Sequence, residues 1–290
     1  MITLFLDHLR HEKRLSEHTL TAYSSDLQQL TTYLLLQYEC AEPHTASSQQ
    51  LRSWVVSMVE ENIKPTSLNR KMATLRSFYG FLRRRNLIPS DPTKTLHALK
   101  EKKKLPAYVE EKAMEVLFEE GVFSDDFSGL RDRIILELLY GTGMRLTELI
   151  TLRIKDIDLE QRLIRVTGKG SKERLIPITG LLVQALTEYL AQRGALESSD
   201  ILILTDKFKP AYAVFVQRTV KNYLSAVTTL AQKSPHVLRH TYATHLLNRG
   251  ADLNAIKELL GHANFAATQI YTHNSIEKLK KTHQQAHPKA

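Results

Sequence analysis

A basic stretch at about residues 100–107 divides this chain in two. Pro89-Ser90-Asp91-Pro92 cannot continue a helix, and the run from Lys100 to Lys104, closed by Pro106, is charged and poor in apolar anchors. The Lys100–Lys104 run offers a core no anchors, so the chain on either side is expected to bury its apolar residues separately. The expectation is a helical domain over residues 1–99, a basic linker at 100–107 and a second domain over 108–290. The full length of 290 residues is ample for both.

Before the break, apolar residues recur every three or four positions, the period of a helix with one buried face. Ser16 is placed to cap a helix whose stripe is Leu20, Tyr23, Leu27, Leu30 and Leu34. Leu51, Trp54, Val55, Met58 and Val59 form a second stripe. Pro65-Thr66 opens a third through Leu68, Met72, Leu75, Tyr79 and Leu82, with Arg70, Lys71 and Arg76 read on its outer face and Arg83-Arg84-Arg85 at its end.

Beyond the break, an amphipathic helix with an acidic face is expected around Glu110–Glu120. An apolar helix through Ile134, Ile135, Leu138 and Leu139 follows and halts at Gly141-Thr142-Gly143. Two β-type runs, Leu163–Val166 and Arg174–Ile178, flank Gly168-Lys169-Gly170-Ser171 as a hairpin would. Helical periodicity resumes at 181–190, 216–230, 236–248, 253–260 and 276–285. The fold class is therefore mainly α with a small antiparallel β-sheet.

Charge narrows the function. Forty Lys and Arg stand against 31 Asp and Glu, a net charge of +9. Twelve of those cations and only two acids lie between Lys64 and Lys104, so one segment carries the whole excess. A polyanion is the partner such a segment fits, and phosphate neutralisation would make binding steeply salt-dependent. Arg70, Lys71, Arg76, Arg83, Arg84, Arg85, Lys102, Lys103 and Lys104 are the candidate contacts. No run approaches the roughly 20 apolar residues of a membrane span, and the N-terminus has no export signal, so a cytoplasmic protein is expected. Cys40 is the sole cysteine, which excludes an internal disulfide and any cysteine-built metal cluster.

Several chemistries fail for want of residues. His236 and His240 stand four apart, but no HExxH arrangement accompanies them and Arg239, Arg249 and Lys257 lie nearby, so no metal site is read. Gly168-Lys169-Gly170-Ser171 lacks the spacing of a nucleotide-binding loop, and no GxSxG elbow is present. What remains is a set of cations, histidines and one tyrosine. Metal-free phosphodiester transfer needs that set: fixed cations for the non-bridging oxygens, a nucleophile, and a proton donor for the leaving alkoxide. Arg145 follows the glycine-rich break. His236 and Arg239 share a helix face at i,i+3, behind Ser234 as N-cap and Pro235 at the first helical position. Lys169 sits between glycines where it could reach a phosphate, His262 follows Leu260-Gly261, and Tyr271 comes nine residues later. A phenol with its ordinary pKa near 10 needs neighbouring cations or a base before it attacks at neutral pH.

The order and surroundings of these residues resemble the tyrosine recombinases, and within them the Xer recombinases. The likeness rests on Thr142-Gly143-Met144-Arg145-Leu146-Thr147-Glu148-Leu149, Gly168-Lys169-Gly170-Ser171-Lys172-Glu173-Arg174, Pro235-His236-Val237-Leu238-Arg239-His240-Thr241, Leu259-Leu260-Gly261-His262 and Thr268-Gln269-Ile270-Tyr271-Thr272-His273. It extends to Thr19–Leu27 and to His283–Pro288, essentially the whole chain.

The resemblance implies a helical SAM-like core-binding domain followed by a mixed α/β catalytic domain, clamped on double-stranded DNA. Tyr271 would form a 3′-phosphotyrosyl bond and free a 5′-hydroxyl, storing the bond energy so that neither ATP, metal nor other cofactor is needed. Arg145 and Arg239 would hold the non-bridging oxygens, with His262 donating to one of them. Lys169 would protonate the leaving oxygen, His236 would assist the tyrosine, and Glu148 would orient an active-site side chain. A homo- or hetero-tetramer with a paralogue would exchange strands through a Holliday junction. The last helix, with Ile276 and Leu279, would dock on a neighbour. Chromosome-dimer resolution at a dif-like site is the implied role, with a septal FtsK-type DNA translocase as a further partner and no membrane. The alternatives are a mobile-element integrase, a type IB topoisomerase and an idle DNA-binding relative.

Overall fold

Glu17–Tyr38 is helical because Ser16 takes the N-cap, its hydroxyl accepting from the Thr19 N–H at 3.4 Å, and because Leu20, Leu27, Leu30 and Leu34 all find cover on one side. In the computed structural model, which describes residues 1–100, 107–168, 173–194, 199–261, 280, 283 and 285–287, the chain forms two compact units, Met1–Lys104 and Leu105–Ala290. The linker expected at 100–107 falls largely outside the described residues.

The first unit is helical: α1 (Ile2–Asp7) continued by a π turn over His8–Glu12, α2 (Glu17–Tyr38), α3 (Ser48–Glu60) and α4 (Pro65–Arg84). Ser47 and Gln50 close a capping box at the start of α3, and Pro65 opens α4. Phe5 is fully buried at the centre of the core, 5.4 Å from the Phe78 ring and 5.5 Å from that of Phe81. Each large apolar side chain so buried contributes about 1.5–3 kcal/mol, more than the helix propensities of these short segments.

Lys71 departs from its expected place. It lies three residues after Leu68 and four before Leu75, so it belongs to the inward stripe and is buried. Its ammonium donates to Asp26 at 3.1 Å and to Gln29 at 2.5 Å, and stands 6.0 Å from the Trp54 ring centroid. Asp26, itself 1% exposed, also accepts Arg70 as a fork at 2.5 and 2.7 Å and the Thr74 hydroxyl at 2.8 Å. Lys71 is thus a buried, paired cation of the helical core and not a residue of the outer face. Arg70 keeps about half its side chain open (48%), Arg76 donates to the Leu96 carbonyl at 2.8 Å, Arg85 pairs with Glu12 at 2.7 Å, and Arg83 and Arg84 are exposed. Lys102, Lys103 and Lys104 lie outside the described residues.

The second unit is built round α6 (Phe127–Thr142), whose Ile134, Ile135, Leu136, Leu138 and Leu139 are covered on every side. Preceded by α5 (Glu111–Leu117), it is followed by α7 (Leu146–Thr151), a three-stranded antiparallel sheet, α8 (Gly180–Arg193), α9 (Ala213–Val227), α10 (Pro235–Asn248) and α11 (Leu253–Leu260). The strands are β1 (Ile157–Asp158), β2 (Leu163–Thr167) and β3 (Glu173–Pro177), in the order β1-β2-β3. Pairing of β2 with β3 ends at Thr167 opposite Glu173, so Lys169 belongs to the connection between them and lies outside the described residues. Two-residue β1 has no alternation to read, and sequence periodicity gives only its two partners. Helix α9 ends at Val227 rather than Leu230. Near the C-terminus, His283, Ala286 and His287 are buried in this same unit, with His283 Nε2 3.2 Å from the Gly141 carbonyl; Ile276 and Leu279 are outside the described residues. Among the described residues no helix is long and apolar enough to cross a membrane.

Burial pushes the Asp26 carboxyl up, but Arg70, Thr74 and Lys71 outweigh it and hold its pKa below the usual value. A lowered carboxyl pKa stabilises the fold above the unfolded value of about 3.9 and ceases to do so as pH falls through the native value. Asp26→Ala leaves Lys71 buried without its carboxylate and is expected to cost about 3 kcal/mol. Urea unfolding followed by fluorescence of Trp54, the single tryptophan, checks this. The conservative Asp26→Asn should flatten the acid limb of the stability curve.

Candidate active site

The polypeptide turns sharply where α6 ends. Gly143 adopts φ +61°, and a Cβ there would stand 2.5 Å from Tyr242 Cδ1 and 2.9 Å from Leu260 Cδ2, so neither the backbone conformation nor the space admits a side chain. This turn delivers Arg145 to the N-cap of α7, where its backbone N–H donates to Glu148 at 2.7 Å, half of a capping box. The Arg145 guanidinium returns to the same carboxylate at 2.8 Å and donates through Nη2 to the Gly261 carbonyl at 3.0 Å.

Arg239 arrives from the opposite side. The first turn of α10 carries it inward, 8% exposed, and it donates to the carbonyls of Gly143 and Leu260, each at 2.6 Å. His236, three residues earlier on that turn, is exposed. Ser234 occupies the N-cap position as expected, but its buried hydroxyl makes no capping bond and has no hydrogen-bond partner among the described residues. Burial, then the charges of Arg145 and Arg174, lowers the Arg239 pKa to about 10. At neutral pH it stays protonated.

Arg174, which motif reading passed over as a potential site residue, completes the cluster. It is 5% exposed and forks onto Glu148 at 2.7 and 2.9 Å, while its Nε donates to the Leu259 carbonyl at 2.8 Å. Strand alternation signals it: Arg174 shares the inward face of β3 with Ile176, an arginine where an apolar residue is expected. Glu148 therefore accepts four donors, the full capacity of a carboxylate. Burial pushes its pKa up, but the hydrogen bonds and charge of Arg174, then of Arg145, hold it below the usual value.

Three guanidinium groups cluster here about one carboxylate, which two of them bond, leaving an excess of positive charge with part of Arg145 (38% exposed) open to solvent. Such an arrangement has the chemistry to hold an anion with two non-bridging oxygens, as a scissile phosphate has. Tyr242, the tyrosine beside these arginines, is fully buried and its phenol pKa is pushed up by burial, so it is unsuited to attack an external phosphate. His262, Tyr271 and Lys169 lie outside the described residues, the first directly after Gly261.

The family model of the phage integrases matches residues 98–278, and that of their N-terminal SAM-like domain matches residues 2–86. The chain belongs to the phage integrase family. It is 36% identical over 315 residues to the tyrosine recombinase XerC of Chlorobaculum tepidum, spanning 99% of this chain and 94% of that protein. Against the tyrosine recombinase XerC of Bacillus subtilis it is 36% identical over 299 residues, 100% of this chain and 96% of that one. Among solved structures, the XerH site-specific recombinase bound to palindromic difH substrate shares the fold with a TM-score of 0.74 at 20% identity, over 97% of this chain and 83% of that one. The Tn1549 transposon integrase, solved with transposon right-end DNA, gives 0.71 at 21% identity over 97% and 98%. The chain is thus an Xer-type tyrosine recombinase, a site-specific DNA recombinase.

Gly143→Ala forces this turn open against Tyr242 and Leu260. The recombinase variant is expected to lose more than about 1 kcal/mol of stability, read as a lowered midpoint in calorimetry, with weakened DNA cleavage because the Gly143 carbonyl seats Arg239.

Proposed function

We propose that this recombinase cleaves and rejoins double-stranded DNA through a 3′-phosphotyrosyl bond at Tyr271, resolving chromosome dimers at a dif-type site. The observation that carries the reading is the convergence of Arg145 and Arg239 on one cationic seat immediately before His262. The Tyr271 oxygen attacks phosphorus while the bond to the 5′-oxygen breaks. His236 assists removal of the phenolic proton, Lys169 supplies the proton that the leaving 5′-oxygen takes up, and Arg145, Arg239 and His262 hold the non-bridging oxygens. Rejoining reverses these steps with a 5′-hydroxyl from the partner strand, so the phosphotyrosine conserves the bond energy.

Four protomers, of this chain alone or with a paralogue, would synapse two sites, under control of a septal DNA translocase. The identity to XerC proteins along almost the whole chain favours this housekeeping role over a mobile-element integrase. The exposed Arg83 and Arg84 at the end of α4 are assigned to backbone phosphates.

A nicked suicide duplex carrying a dif-type site, in buffer with EDTA, tests the chemistry. Wild-type protein is expected to give an SDS-resistant protein–DNA adduct and Tyr271→Phe none. An adduct that survives Tyr271→Phe would refute the assignment. In equilibrium binding, Arg83→Ala should lower the slope of log affinity against log salt by about 1, whereas Lys71→Ala, which removes an internal cation, should leave the slope unchanged.

A further inference from the structure

We propose that Arg174 is a positioning residue of the phosphate-binding site, tying strand β3 to Arg145 and to the end of α11, so that charge stabilisation on the non-bridging oxygens depends on it. The proposal rests on the reading above and extends it to a residue that touches no substrate.

Three successive carbonyls at the end of α11 are each taken by a different arginine: Leu259 by Arg174, Leu260 by Arg239 and Gly261 by Arg145. Two of those arginines also share Glu148. Arg174 alone links the carboxylate to the helix end through a buried side chain, and its three contacts use the full width of a guanidinium. It also fills the space beside Gly261, where a Cβ would stand 3.0 Å from Arg174 Cδ and 3.2 Å from its Nη1, and where φ is +65°. The left-handed turn at Gly261 that closes α11 is therefore set against this one side chain. From the other end, β3 leads out of the connection that carries Lys169. A single buried group thus links strand β3 to the carboxylate that holds the first arginine and to the Leu259 carbonyl near the end of α11.

A lysine keeps the charge but offers one compact donor group in place of the planar fork, so it cannot hold Glu148 and the Leu259 carbonyl in this geometry. The consequence is displacement of Arg145, and displacements of about 1 Å cost on the order of 10²-fold in rate. Charge demand provides the discriminating readout. A scissile methylphosphonate replaces one charged oxygen by a methyl group and so needs less from the arginines than the ordinary phosphodiester does.

Single-turnover cleavage of the nicked duplex is measured with both linkages for wild type, Arg174→Lys and Gly261→Ala, the last pressing on the Arg174 side chain from the opposite side. The ratio of the two rates is taken within each protein, so loss of folded material cancels. Both variants are expected to cleave the phosphodiester about 10²-fold more slowly than wild type, with the deficit shrinking several-fold on the methylphosphonate. Equal deficits on both linkages would mean a merely structural role and overturn the proposal, as would wild-type rates in Arg174→Lys. Absence of any adduct with the wild-type protein would instead overturn the reading on which it stands.

Discussion

One buried carboxylate allows the catalytic unit to hold its cations together. Arg145, Arg174 and Arg239 repel one another at this spacing, and burial together with that repulsion lowers the Arg239 pKa. Glu148 offsets it by accepting from two of the three and from the backbone of the first. The main-chain carbonyls of Gly143, Leu259, Leu260 and Gly261 do the rest. Both the glycine turn after α6 and the end of α11 take their shape from these bonds, so the packing of three helices and one strand depends on where the arginines sit.

The helical unit repeats the device at another place. Asp26 gathers Arg70, Lys71 and Thr74 in a buried network, with Trp54 and Gln29 closing over the lysine. Here the geometry serves packing, since Lys71 is covered, but it also sets where Arg70 emerges. In a protein with a net charge of +9, acids placed inside are what let basic residues crowd without unfolding the helices that carry them.

Most of the architecture was legible because it is written in periodicity. The stripes through Leu27, Leu51 and Leu75, the apolar α6 and the β2–β3 hairpin all follow from local spacing. Two kinds of feature were not. Lys71 looked like a surface cation because a charge pattern shows composition and not the acid, Asp26, that a neighbouring helix supplies 45 residues away. Strand β1 is too short to alternate. In the site, Arg145, Arg239 and Glu148 were readable from motif order, and their meeting is a tertiary fact. Arg174 lies inside the Gly168–Arg174 motif, but its place is defined by Glu148 and by the Leu259 carbonyl of α11, which no local pattern announces.

Why the site holds its arginines on main-chain carbonyls follows from the same electrostatics. A guanidinium free to move would lose conformational entropy when phosphate arrives and would reorganise during the reaction, both of which subtract from catalysis. Arg239 is fixed instead at both Nη atoms by Gly143 and Leu260, and Arg145 by Glu148 and Gly261, before any substrate binds. Each such nitrogen carries a second hydrogen, and each Nε one more, so donors remain for an incoming anion after the carbonyls are satisfied. The excess positive charge disfavours the empty site. A phosphate arriving there would relieve it, so under the proposed function the same imbalance becomes an attraction for the scissile group.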